Sequence, residues 1–412
     1  MGSSNQIFLG RSIFYEVQHF CEKCQILCDA TSSNFTVPKN MSLILPNSTP
    51  LSAPALSAAS GMKTAMQAIA GAAVASAVPA VFSSGTVGSL WNFISICQIV
   101  NCLLYLLVIW PENAKMVFDL FSAASLTFIP NPFQSILDDI GRLGSVIVLP
   151  DVFADNGAEG LFIADSGSTV GVWGIIALFY MLTKVARYGF RKSAVGRTTR
   201  LITYFYDNLE WRAVLRAMES SFLSMGLGAA LQLYSVTFEN WVVALSTVLA
   251  ILFGYLLFFY VIACCWILYN RPKTDDPIFE KKYGPLFEEF KSDTKFQRCF
   301  IIFVLLRKAM FVGCLVGFFP MAQVPLVAIN SFVIFAFTVL LKPYQERKDM
   351  LLNTFNEGII CSLMICALIL LNDQVRTHWM TYSDNIILGW VVVGICGVLI
   401  LVNVVFMIYE AF

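Results

Sequence analysis

Two neighbouring cations, Arg307 and Lys308, lie about a third of the way into an apolar run from Phe300 to Phe319. An ionisable side chain at that depth costs roughly 2.5–3.5 kcal/mol on insertion scales. Each must therefore meet a carboxylate inside the protein or snorkel to the nearer water surface. Two carboxylates stand at suitable places: Glu219 within the run Ala213–Val236, and Glu357, beside Asn356, at the head of the run Phe355–Leu371. At about 1.5 Å per helical residue, Glu219 lies two turns in, the cations two to three, and Glu357 one. All five residues share one third of the membrane, and Glu219, Arg307, Lys308, Asn356 and Glu357 form a candidate intramembrane charge site. Two readings stand side by side: a glutamate faces the cations in a bundle interior, or the cations snorkel singly and both glutamates mark helix starts. Within the first reading Glu357 is the favoured partner, because short connections make neighbours of successive helices.

Other reactive types are sparse. The histidines are His19 and His378, in segments far apart, and no nucleophile–base pair, phosphate loop or His-Glu-x-x-His motif occurs. No enzyme activity, cofactor or metal site is expected. There is also no repeated-arginine voltage sensor and no Thr-Val-Gly-Tyr-Gly-type filter. Cys21, Cys24 and Cys28 cluster near the N-terminus; with only His19 beside them they fit a disulfide-rich fragment better than zinc. Asn34, Asn40 and Asn47 each open a glycosylation sequon, the last weakened by Pro50. Three in so short a stretch point to a lumenal or extracellular segment. Gln98, Asn101, Gln232 and Asn330 lie nearer mid-span, where helix–helix hydrogen bonds of about 0.6 kcal/mol account for such residues.

Composition sets the class. Of 412 residues 58% are hydrophobic and 13% charged, with mean hydropathy +0.72. A soluble domain carries nearer a quarter charged residues, so the chain reads as an all-α polytopic membrane protein whose first partner is the lipid bilayer. A formal net charge of +0 argues against a nucleic-acid partner.

Nine spans emerge: Gly61–Phe82, rich in small residues; Leu90–Trp110; Val170–Ala186; Ala213–Val236; Trp241–Leu268; the hairpin Phe300–Phe319 and Met321–Leu341, with Pro320 and Gln323 in its hinge; Phe355–Leu371; and Ile386–Ile408. Residues 1–57 are a polar segment carrying the cysteines and sequons, and 58–412 the membrane domain. Within it, 111–169 is an external or re-entrant loop, while 187–212 and 269–298 are the most basic connections. Basic loops stay in the cytosol, which puts the N-terminus outside with its sequons and the C-terminus inside. Tyr283, Leu286, Phe287 and Phe290 fall at helical spacing opposite Glu288, Glu289 and Lys291, which predicts a short amphipathic helix on the cytosolic membrane surface.

Several short motifs carry a family likeness. They are Gly88-Ser89-Leu90-Trp91-Asn92-Phe93 before the Gln98 span, Pro111-Glu112-Asn113-Ala114-Lys115, and Lys282-Tyr283-Gly284-Pro285-Leu286-Phe287-Glu288-Glu289-Phe290 ahead of Arg307-Lys308. Gln323 after the Pro320 turn and Lys342-Pro343-Tyr344 with Asn353 complete the set. From Ser57 to Phe412 the chain resembles the TRP-like membrane region of fungal flavin-carrier proteins and of cysteine-rich multi-pass surface proteins of ciliates. The resemblance implies a nine-helix domain and a role in cation, especially calcium, homeostasis; it identifies no pore residue. Residues 1–57 leave no room for the lipid-binding β-domain of the fungal proteins.

The reading is a TRP-like cation (calcium) channel or transporter in the plasma membrane or an endomembrane, with a homo-oligomer as a further option. Its rival is a non-conducting anchor or receptor region of a cysteine-rich surface protein. A channel gathers its intramembrane polar residues, whereas an anchor scatters them. The topology makes a direct prediction: cysteines placed at Ser193 and Ser292 resist an impermeant maleimide in sealed cells and label after permeabilisation. Labelling of either from outside overturns it.

Overall fold

The computed structural model describes residues 88–121, 131–141, 149–190, 203, 206, 214–270, 277–318, 320–375 and 379–411. The helices run α1 Gly88–Cys102, α2 Glu112–Leu120, α3 Gln134–Gly141, α4 Asp151–Asp155, α5 Phe162–Asp165, α6 Gly167–Phe190, α7 Val214–Tyr234, α8 Trp241–Tyr269, α9 Pro277–Tyr283, α10 Lys295–Arg298, α11 Phe300–Gly317, α12 Pro320–Leu341, α13 Arg347–Val375 and α14 Tyr382–Ala411. Among the described residues no strand forms beyond one antiparallel bridge, Phe290 to Tyr344.

Six of these helices (α6, α8, α11, α12, α13 and α14) are long and apolar enough to cross a membrane. The expected span Ala213–Val236 is the 21-residue helix α7, less apolar than those six because it carries Arg216, Glu219, Ser220, Ser221 and Gln232. That composition follows from its position: α7 packs on α1, α5, α6, α8 and α11, so most of its surface meets protein rather than lipid. At the other extreme, only 6% of the α6 window is buried inside the protein.

The helix expected over Leu90–Trp110 ends early. Helix α1, which begins at the edge of the described residues, tightens to a 3-10 turn over Leu103–Tyr105 and then stops, and its apolar part Asn92–Tyr105 is shorter than the six. The backbone freed by this break is satisfied in place. Leu107 N–H donates to Gln323 Oε1 at 2.7 Å, and the Leu103 and Leu104 carbonyls accept from Trp110 Nε1 at 2.9 Å and Asn156 Nδ2 at 3.2 Å. Gln323 thus sits inside α12, buried, rather than in a hinge. Helix α2 then folds back onto α14, where Asn113 Nδ2 donates to the Ile386 carbonyl at 3.2 Å. Gly389 permits this approach, since a Cβ there would overlap the Asn113 amide. The expected span Gly61–Phe82, residues 1–57 and with them Asn34, Asn40 and Asn47 lie outside the described residues.

The amphipathic helix expected over Tyr283–Phe290 does not form. Helix α9 ends at Tyr283, a 3-10 turn covers Gly284–Leu286, and Leu286, Phe287 and Phe290 are buried in the bundle with Leu215, Met218, Phe300 and Leu305. Pro285 has no N–H to give to a continuing helix. The connector instead straps onto the turn between α12 and α13. Lys291 N–H donates to the Pro343 carbonyl at 2.6 Å, and Gln345 N–H to the Glu289 carbonyl at 3.0 Å. A capping box, Thr294 with Gln297, starts α10, and the same Gln297 amide donates to the Leu341 carbonyl at the end of α12, 2.7 Å away. Phe290, Phe300 and Tyr344 close an aromatic triad with centroids 5.3–5.9 Å apart.

This triad is the weld between connector and bundle. Tyr344→Ala is expected to cost about 3–5 kcal/mol, as for other buried aromatic truncations, whereas Tyr344→Phe keeps the ring contacts and stays within about 1 kcal/mol. Thermal unfolding in detergent measures both; equal losses would place the weight on the hydroxyl.

Candidate intramembrane charge site

Helices α11 and α12 form the expected antiparallel hairpin, and α13 returns along α12. This arrangement delivers Arg307 and Glu357 to one another. Arg307 is 3% exposed, and its Nη1 donates to Glu357 Oε1 in a monodentate ion pair. Asn330 of α12 closes the other side, with Nδ2 donating to the Arg307 carbonyl at 3.1 Å. Lys308, 2% exposed, points away from this pair toward α7, where its Nζ donates to the Glu219 backbone carbonyl at 2.9 Å. The Glu219 carboxylate lies within electrostatic reach of that ammonium. Neither cation reaches the surface of the bundle, so both are compensated inside the protein rather than by snorkelling.

Asn356, one residue before Glu357, faces α14. It exchanges two amide hydrogen bonds with Asn403: Asn356 Nδ2 donates to Asn403 Oδ1 at 3.2 Å, and Asn403 Nδ2 to Asn356 Oδ1 at 2.8 Å. All five sequence-derived residues thus fall in two adjoining clusters, Arg307–Glu357 with Asn356, and Lys308–Glu219. Tyr344 feels both clusters, its phenol pushed well above its usual value by burial and by Glu357, Glu289 and Glu219, with Arg307 opposing. The second cluster borders a small recess lined by Asn92, Ser95, Arg216, Glu219, Ser220, Pro285, Glu289 and Lys308.

The monodentate geometry leaves Arg307 Nε and Nη2 and Glu357 Oε2 buried without a partner among the described residues. Each such atom costs about 1–3 kcal/mol. Other mid-span amides are more fully used: Gln232 accepts from Phe162 N at 3.1 Å and Ser246 Oγ at 2.7 Å while donating to Thr247. Gln98 Oε1 is buried and finds no partner among the described residues, and Asn101 is half-buried.

Sequence reasoning missed Asn403 and Tyr344. Asn403 had a legible signal, being the one strongly polar residue between Asn385 and Tyr409. Tyr344 stood in the Lys342-Pro343-Tyr344 motif with nothing to mark its burial, because its place depends on the distant strap from Glu289 to Gln297.

Glu357→Gln strands Arg307 and is expected to lower stability by about 3–5 kcal/mol. Combining it with Arg307→Gln should restore part of the loss. Glu219→Gln leaves the Lys308–carbonyl bond in place and should cost less. Thermal unfolding of the single and double variants in detergent reads the coupling; additive effects at Arg307 and Glu357 would remove the pair as an energetic unit.

No curated protein matches this chain, and no solved structure does. Residues 161–412, from just before α5 through α14, match the family described as transient receptor potential (TRP) ion channel. That stretch contains both charge clusters and, among the described residues, every helix long and apolar enough to span a bilayer. This integral membrane protein therefore belongs to the TRP ion-channel family.

Proposed function

We propose that the chain is a TRP-like cation channel or transporter, with calcium as its physiological ion, whose polar core is the Arg307–Glu357 pair and its neighbours. The observation that carries this reading is convergence. Arg307, Asn330, Glu357 and Asn403 come from four helices, α11 to α14, and meet in one half of the membrane domain. In a non-conducting anchor such polar residues would be scattered, whereas here they are gathered. The basic connections 187–212 and 269–298 face the cytosol in this reading, with the C-terminus on the same side. Residues 1–57, with glycans at Asn34, Asn40 and Asn47, and the loop 111–169 face outside.

The route for ions is constrained by connection length. Opposite the basic end, α7 and α8 are joined by residues 235–240, α11 and α12 by 318–319, and α13 and α14 by 376–381. None of these is long enough for a pore helix with a selectivity filter, which leaves the loop 111–169, the spaces between helices or a subunit interface as the route. The same shortness favours the second reading, a non-conducting anchor.

Reconstitution in liposomes loaded with a calcium indicator separates the two. Wild type is expected to admit calcium well above empty liposomes, and monodisperse Glu357→Gln protein at least ten-fold more slowly. No flux at any imposed potential selects the anchor.

A further inference from the structure

The two neighbouring cations of α11 are held in different ways. Arg307 meets a carboxylate, whereas the hydrogen bond of Lys308 goes to a neutral oxygen, the Glu219 backbone carbonyl at 2.9 Å. An ammonium has three N–H donors, so two on Lys308 have no acceptor among the described residues, although the residue is only 2% exposed. The Glu219 side chain lines the same recess as Lys308 without bonding to it. Around that recess stand residues of the kind that hard cations take as oxygen ligands: Glu219 and Glu289, the hydroxyls of Ser95 and Ser220, and the Asn92 amide. Ser220 Oγ donates its proton to the Ala217 carbonyl at 3.1 Å, which leaves the oxygen lone pairs facing other partners. Arg216 and Lys308 balance the two glutamates. The volume, about 20 Å³, is room for one water-sized particle and too little for a hydrated ion or a lipid headgroup.

We propose that this recess is a seat for one monovalent cation, that the Lys308 ammonium is its tethered occupant, and that sodium or potassium takes the seat when Lys308 leaves it. An ammonium is a compact point charge and seeks the same oxygens as an alkali ion. A space for one particle cannot hold both, so the seating of Lys308 and the binding of a free ion exclude each other. The monovalent choice follows from charge: without Lys308 the lining carries two glutamates against Arg216, one net negative charge. Lys308 also bonds α11 to α7, so the ion's affinity and that contact are linked, each weakening the other. Its neighbour Arg307 carries the same change to the pair with Glu357. The seat deepens the cation-channel reading, on which its role as a control point of the polar core rests.

The test uses full-length protein in detergent at constant ionic strength, in sodium or potassium chloride against N-methyl-D-glucamine chloride, whose cation is too large for the recess. The unfolding temperature of Lys308→Met is expected to rise by about 2 °C or more in either alkali salt. Wild type and Lys308→Met/Glu219→Gln are expected to respond alike to all three salts. An equal response of Lys308→Met to all three overturns the proposal, as does a shift produced by calcium chloride alone. A second measurement needs no variant at that position. Wild-type protein is treated with an amine-acetylating reagent, and acetylation of Lys308 is read by peptide mass. Sodium or potassium is expected to raise its rate severalfold over N-methyl-D-glucamine; an unchanged rate overturns the exchange of lysine for ion. Neither readout uses flux. An alkali response without calcium flux removes the channel and keeps the seat, whereas flux without an alkali response removes the seat alone.

Discussion

A guanidinium cannot face hydrocarbon, and much of this bundle follows from that constraint. Arg307 is placed two to three turns into α11, too deep to be left unpaired, so α13 must bring Glu357 alongside and α12 must supply Asn330 to the same turn. Successive antiparallel helices with short connections are the simplest way to do this. The next residue, Lys308, leaves α11 on another side and needs a separate acceptor, which fixes α7 on that flank. One dipeptide therefore sets the neighbours of its helix on two sides. The charges balance locally, and this lets a formally neutral chain hold ionised groups inside a membrane domain.

The same logic sorts the helices by surroundings. Where protein covers a helix, polarity is tolerated, and α7 carries Arg216, Glu219, three serines and Gln232 while remaining central. Where lipid covers it, the sequence is almost uniformly apolar, as on α8 and α14, which expose Phe258, Phe259, Val391 and Leu401. Hydropathy thus reports the medium around a helix rather than whether the helix exists.

That distinction explains what the sequence revealed and what it hid. The long apolar helices were legible because length and hydropathy are local properties, and the hairpin and its cations were legible because charge in an apolar run is rare. The break after Cys102 was not. Leu103–Trp110 is as apolar as a span, and what ends the helix is a set of distant partners, Gln323 and Asn156, that accept and donate in place of helical bonds. Similarly, the spacing of Tyr283, Leu286, Phe287 and Phe290 fits a helix and fits equally a knot of aromatics folded under the bundle. Pro285 and the bridge to Tyr344 decide for the second. Within the charge site, the residue types pointed to the pair, but the choice of a single carboxylate oxygen, and the Asn356–Asn403 exchange beside it, are properties of helix rotation that no spacing rule contains.

The strap from Glu289 to Gln297 has a mechanical meaning. It ties the connector by backbone bonds to Pro343 and Gln345 and, through Gln297, to the final carbonyl of α12. Pulling on the connector therefore loads several hydrogen bonds of the α12–α13 turn together, at the foot of the helix that carries Glu357 ten residues from its start.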